Sequence, residues 1–325
     1  MKIMRFIGIV LALFLAGSPS DTSAQDSGKK YKVYMVSNSH LDTQWRWDVK
    51  ATIDDYLYNT AVQNLALLEK YPHYVFNFEG AVKYEWIKEY YPHLFERIRK
   101  FVADGRWNIS GASFEANDPN MPSSESFIRN ILLAQEFYKK EFGIKSKDMF
   151  LPDCFGFSQV MPTLGHHCGL IGFSTQKLSW RTEPLVGDSK TPFPIGLWEG
   201  VDGARIMVAL EPGRYSWNEF PEGDLSANEE LAESARKSPF GIAYRYYGNK
   251  LANGAGDHGG SALPRSIQLL EEGITNGKGP VQLVSATSSQ LYEDYMPYGN
   301  HPELPVFVGE MPLDVHAPGC YTSQA

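Results

Sequence analysis

Residues 37–47, "SNSHLDTQWRW", place a His, an Asp, two Trp and an Arg within eight positions, directly after the apolar run "YKVYMV". His40 and Asp42 are two residues apart. On extended chain that spacing sends both side chains to one side, and a neutral imidazole with a carboxylate is an ordinary ligand pair for zinc. The same pair also suits a structural cap, with the imidazole hydrogen-bonded to its local Asp. A second cluster, "FLPDCFGFS", sets Asp153 among aromatics after "MFLP". A carboxylate there can be a metal ligand, a nucleophile, or the cap of a helix starting near Ser158. A third, "NGAGDHGGSALP", embeds Asp257 in glycines, which let the backbone approach a ligand or adopt positive φ. A simple Asp-Gly turn has the same appearance, and His258 beside it can be a ligand, a substrate contact or a turn residue. His316 follows the strand-like "VFVGEM" and, taken alone, reads as structural.

These residues need elements to hold them. "YKVYMVS" is followed by a helical pattern over residues 52–70, and "YVFNFEG" by one over residues 82–104. "RWNIS" precedes a helix that Ser123 or Ser124 caps and that runs to Glu141. "MFLPD", "IGFSTQ", "IGLWEG", "RIMVAL" and "VQLVSA" are further strand candidates, while residues 212–260 read as a long irregular stretch. Strand and helix alternating at this rhythm predict an α/β fold, a parallel sheet covered by helices. Such sheets carry their sites at the carboxyl ends of the strands. That is where His40, Asp42 and Asp153 fall.

The bulk properties set limits. The 325 residues carry a formal net charge of −8 and a pI near 5.5, which argues against a nucleic-acid partner, since that calls for a basic face. Lys2 and Arg5, the apolar "IGIVLALFLAG" and the small polar "SPSDTSA" describe a secretory signal peptide over residues 1–24. Its apolar run falls short of the ~20 residues that span a bilayer, so the expectation is an exported, periplasmic or secreted protein without stable membrane insertion. An uncleaved N-terminal anchor is the alternative. A leader (25–30), an α/β catalytic domain (31–311) and the start of a truncated helical domain (312–325) complete the expected organisation. Cys154, Cys168 and Cys320 make no CxxC pair and read as structural. Aromatic content of 13% suits a sugar-binding cleft, but equally a large core.

Taken in order, H-x-D, P-D-x-F-G, a glycine-embedded Asp and a His followed by G-x-Y-T-S-Q resemble the class II α-mannosidases of glycoside hydrolase family 38. The resemblance runs from about Tyr31 to Ala325, and "NDPNMPSSESFIRN", "STQKLSWR" and "WEGVDGARI" agree with it. It implies a (β/α)7-type barrel. It makes His40, Asp42, Asp153 and His316 ligands of one zinc ion per chain, a nitrogen and oxygen set that also admits cobalt or calcium. It makes Asp153 the nucleophile and Asp257 the general acid/base of a retaining, exo-acting hydrolysis of α-linked mannose. Trp45, Phe155, Asp118 and Arg181 become substrate contacts, with His258 a further candidate, although Trp45 could equally be a packed aromatic. Two departures stand out: His258 and Ser261 interrupt the family's glycine run, and "HAPGCYTSQ" differs from the commoner His-Arg-Gly-Thr-Tyr form. The enzymatic alternative is a metal-dependent polysaccharide deacetylase, but the His-x-x-x-His spacing usual there is absent, since His166 and His167 are adjacent. A non-catalytic carbohydrate-binding remnant is the other. The linkage cut, the glycan type and the oligomeric state are open.

Overall fold

The computed structural model describes residues 30–179, 191–249 and 257–311. Strand β1 (Tyr31–Asn38) is the axis of the first sheet. Its apolar residues are buried on both faces, as in a strand covered by helices on one side and a core on the other. β8 (Ile242–Gly248) pairs with it in parallel from Lys32↔Ile242 to Asn38↔Gly248. The other edge is shared. β9 (Val281–Ser285) lies along Tyr31–Met35, and β2 (Phe76–Glu79) takes over at Ser37 and Asn38. β3 (Trp107–Ser110) continues the sheet beyond β2.

The second sheet runs β10 (Val306–Val308), β6 (Ile195–Glu199), β7 (Arg205–Ala209), β5 (Gly172–Ser174), β4 (Asp148–Phe150). Its pairs are parallel except β6 with β7, whose connection is far too short for a crossover and makes an antiparallel hairpin. The sheets meet at two seams rather than in one continuous ladder. At one, the Ala112 amide donates to the Asp148 carbonyl; at the other, the Tyr246 amide donates to the Pro212 carbonyl, both at 2.9 Å. Tyr34, Val36, Phe150, Met207, Tyr244 and Tyr246 fill the space between the sheets. Val33, Met35, Phe76 and Trp107 point instead to the helices outside.

Helix α5 (Ser124–Phe142) forms as the sequence predicts: the Ser123 hydroxyl accepts from the Ser126 amide, and Gly143 closes the helix at φ 74°. Three expectations are corrected. Residues 82–104 form two helices, α3 (Ala81–Tyr90) and α4 (Pro92–Ala103), because Pro92 pushes Tyr91 out of helical geometry, to φ −133°, ψ 55°. The helix expected from residue 52 starts at α1 (Val49–Ala51), where the Asp48 carboxylate caps the Ala51 amide. It passes through a π-helical turn (Thr52–Leu57) and continues as α2 (Tyr58–Lys70). The stretch 212–260, expected to be irregular, holds α7 (Glu229–Arg236) and the whole of β8. Residues 1–24, Arg181, residues 312–325, His316 and Cys320 lie outside the described residues. Among those described, no helix is long and apolar enough to cross a membrane.

Candidate active site

The register of the first sheet sets the first two side chains. Asn38 pairs with Asn77, so His40 and Glu79, each two residues further on, emerge side by side at the carboxyl ends of β1 and β2. The buried His40 ring (4% exposed) places Nδ1 2.9 Å from Glu79 Oε1 and Nε2 3.2 Å from Asp42 Oδ1. The local His–Asp contact of a structural cap is therefore present, but it is one side of a larger cluster. Asp153 Oδ2 stands 3.6 Å from the same Nε2, brought there from the end of β4. Asp153 caps no helix, since α6 (Val160–His167) begins past Gln159. Its other oxygen, Oδ1, receives the buried ammonium of Lys177, which follows β5.

Asp257 reaches the cluster by backbone pairing. Leu41 and His258 form an antiparallel bridge, the Asp42 amide donates to the Asp257 carbonyl at 2.9 Å, and the Gly259 amide to the His40 carbonyl at 2.9 Å. Asp257 sits at φ 73°, a left-handed conformation that Asp tolerates better than most residues. A Cβ on Gly259 would lie 2.3 Å from Thr60 Oγ1, so the glycine after His258 is required by close approach. The Tyr215 hydroxyl donates to Asp257 Oδ1. His40, Asp42 and Asp257 each offer one ligand atom, all within 4.8 Å of one another.

The remaining predicted residues divide. Trp45 is half exposed, with the Arg46 guanidinium 4.3 Å over its ring, and keeps surface available to a sugar. Phe155 lies beneath the Lys177 ammonium, 4.6 Å from the ring centre, at the edge of the cluster. Asp118 uses Oδ1 to accept from the Asn120 and Met121 amides and shapes its own turn. His258 stacks on Trp47 at 4.3 Å with Tyr56 edge-on, so aromatic packing holds the Asp257 loop. Glu79, Lys177, Tyr215 and the buried Lys83 were not singled out from sequence. Glu79 ends "YVFNFE" as Asp153 follows "MFLP", and the strand-end rule, applied to it, would have found it.

Burial pushes the Asp153 carboxyl up. The charges of His40 and Lys177 pull it back and that of Asp257 adds to the rise, leaving it above the usual aspartate range. Burial would depress His40, but its hydrogen bonds to Asp42 and Glu79 outweigh that and hold the imidazole well above its ordinary value. For Glu79, the Lys83 cation and the His40 hydrogen bond overcome burial and keep the carboxyl below its usual range. The donor set of the His40 imidazole nitrogen and the Asp42 and Asp153 carboxylates, with Asp257 beside them, fits a divalent metal of the zinc type. Glu79 on Nδ1 leaves Nε2 as the nitrogen available to it.

The model of the glycosyl hydrolases family 38 N-terminal domain matches residues 30–310. Alpha-mannosidase G of Dictyostelium discoideum is 32% identical over 303 residues, 93% of this chain and 26% of that protein. Human alpha-mannosidase 2C1 is 31% identical over 91% of this chain and 27% of its own length. The chain thus spans about a quarter of the curated relatives it matches. The crystal structure of an alpha-mannosidase from Enterococcus faecalis V583 superposes with a TM-score of 0.68 at 23% identity, covering 87% of this chain and 31% of that one. With these matches, and a cluster of His and Asp at the carboxyl ends of the parallel strands, the chain belongs to glycosyl hydrolase family 38, as its N-terminal domain.

Proposed function

We propose that this domain carries the site of a retaining, exo-acting α-mannosidase that removes terminal α-linked mannose from glycans. The observation that carries the reading is the meeting of His40, Asp42 and Asp153 beyond the ends of β1 and β4 with Asp257, which is brought in by its backbone pairing to Leu41 and Asp42. Retaining hydrolysis needs one carboxylate to attack and a second carboxyl group to protonate the leaving oxygen. Asp153 suits the attack: one oxygen is held by Lys177, so the carboxylate is fixed in orientation. It would form a bond to the anomeric carbon as the glycosidic bond breaks, while Asp257 gives its proton to the departing oxygen. Asp257 would then take a proton from water as that water releases the sugar from Asp153. Tyr215 holds the Asp257 carboxyl in place for both steps. Trp45 and Phe155 offer aromatic faces to the sugar.

His40, Asp42 and Asp153 would hold a zinc ion, with His316 and Arg181 completing the ligand set and the sugar contacts. When bound, such an ion supplies Lewis-acid polarisation of sugar hydroxyls. The Lys2- and Arg5-led apolar N terminus supports action on glycans outside the cytoplasm. Following the first-formed sugar by NMR during hydrolysis of an aryl α-mannoside by the intact protein tests the stereochemistry. The α-anomer of mannose should appear first; first formation of the β-anomer contradicts the double displacement through Asp153.

A further inference from the structure

We propose that Glu79 is a positioning residue for the metal-facing imidazole, and that Lys83 is the buried cation that holds Glu79 in place. The inference rests on the metal-site reading above and adds to it a carboxylate that the family resemblance did not supply. Glu79 is 3% exposed, and its Oε1 accepts from His40 Nδ1 at 2.9 Å. A histidine ligand presents one nitrogen to its metal, and the hydrogen bond made by the other fixes both tautomer and ring orientation. With the proton on Nδ1 committed to Glu79, Nε2 is left facing Asp42 and Asp153.

Lys83 gives the second, independent observation. It stands on the first turn of α3, fully buried, with Nζ 3.8 Å from Glu79 Oε1 and 3.8 Å from Glu115 Oε1. Among the described residues no hydrogen-bond partner meets Nζ, which is held by the two carboxylates and by the Phe78 ring, 5.8 Å from its centre. A buried ammonium is costly, and apolar residues of similar volume in place of a buried ion pair are often neutral or stabilising. Stability therefore gives no reason for this pair, whereas aligning His40 does. The turn between them is built for it: Gly80 bends at φ 86°, and a Cβ there would stand 3.2 Å from Lys83 Nζ.

Titrating the metal-free chain with zinc against a competing chelator tests the assignment. The wild type should bind one zinc. Glu79→Asp keeps an anion beside Lys83 but withdraws it from Nδ1, and Glu79→Gln with Lys83→Met removes both charges together. Each should weaken zinc binding about 10–100-fold, while the metal-free melting temperature of at least the Asp variant stays near wild type. A purely structural role would lower melting and leave zinc affinity unchanged. Wild-type affinity in either folded variant overturns the proposal, as does zinc bound through Nδ1 of His40 in the nitrogen NMR spectrum of the loaded chain. A wild-type chain that binds no zinc removes the metal site itself, a failure distinct from that of Glu79.

Discussion

Asp148 opens strand β4 and Asp153 lies three residues beyond its end, and burial pushes the carboxyls of both above the ordinary aspartate range. Their partners differ. Asp148 is 1% exposed and faces neutral donors: Oδ1 accepts from the Gly111 amide at 3.2 Å and the Ser146 hydroxyl at 3.3 Å, and the Ser288 hydroxyl also faces the carboxyl. Its carboxyl is pushed up to about 6. Asp153 is 13% exposed and lies between Lys177 and His40, with Asp257 nearby. The amino end of the strand thus joins the two sheets with a polar seam. The carboxyl end gathers opposed charges at a partly open surface. Keeping a carboxylate ionised against burial requires cations, and among the described residues these stand beside Asp153 rather than Asp148.

The largest effect that separates the two ends is on stability. The folded state holds the Asp148 proton more tightly than the unfolded chain does. Its contribution is therefore present below the ordinary aspartate range and lost as pH rises to about 6. The loss amounts to about 3 kcal/mol at most. Asp148→Asn keeps the acceptor for Gly111 and should flatten denaturant-measured stability between about pH 4 and 6, leaving the variant the more stable at neutral pH. A variant with the wild-type pH slope would show that Asp148 ionises without cost. The second effect is on chemistry. Lys177→Met removes a cation that lowers the proton affinity of Asp153, so the acidic limb of the proposed mannosidase activity should move to higher pH. An unmoved or lowered limb would mean that Lys177 is there for packing.

Much of the site was legible because one rule, that parallel strands present chemistry at their carboxyl ends, sorts residues by position along an apolar run. His40, Asp42 and Asp153 follow such runs directly, and Asp257 was marked by its glycines. Lys177 escaped because its partner Asp153 is distant in sequence, whereas Glu79 was within reach of the strand-end rule; what "NFEGAVK" hides is that Lys83, on the first turn of a helix, is buried rather than solvated. Tyr215 and β8 escaped together. "IAYRYYG" interrupts its alternation with Arg245 and is flanked by glycines, so it read as loop, although its pairing with β1 over the whole strand makes it central. The break at Pro92 was legible from the proline alone. The extent of parallel pairing was over-read at β6 and β7, where the short connection already implied a hairpin.

Asp153, at the charged end of β4, is the residue proposed to attack the sugar. Treating the intact protein with a mannose-like mechanism-based inhibitor and mapping the adduct by peptide mass spectrometry tests it directly. The label should fall on Asp153 and be lost in Asp153→Ala, with Asp257 unmodified. A label on Asp257, or undiminished labelling of the Asp153→Ala variant, would contradict the account.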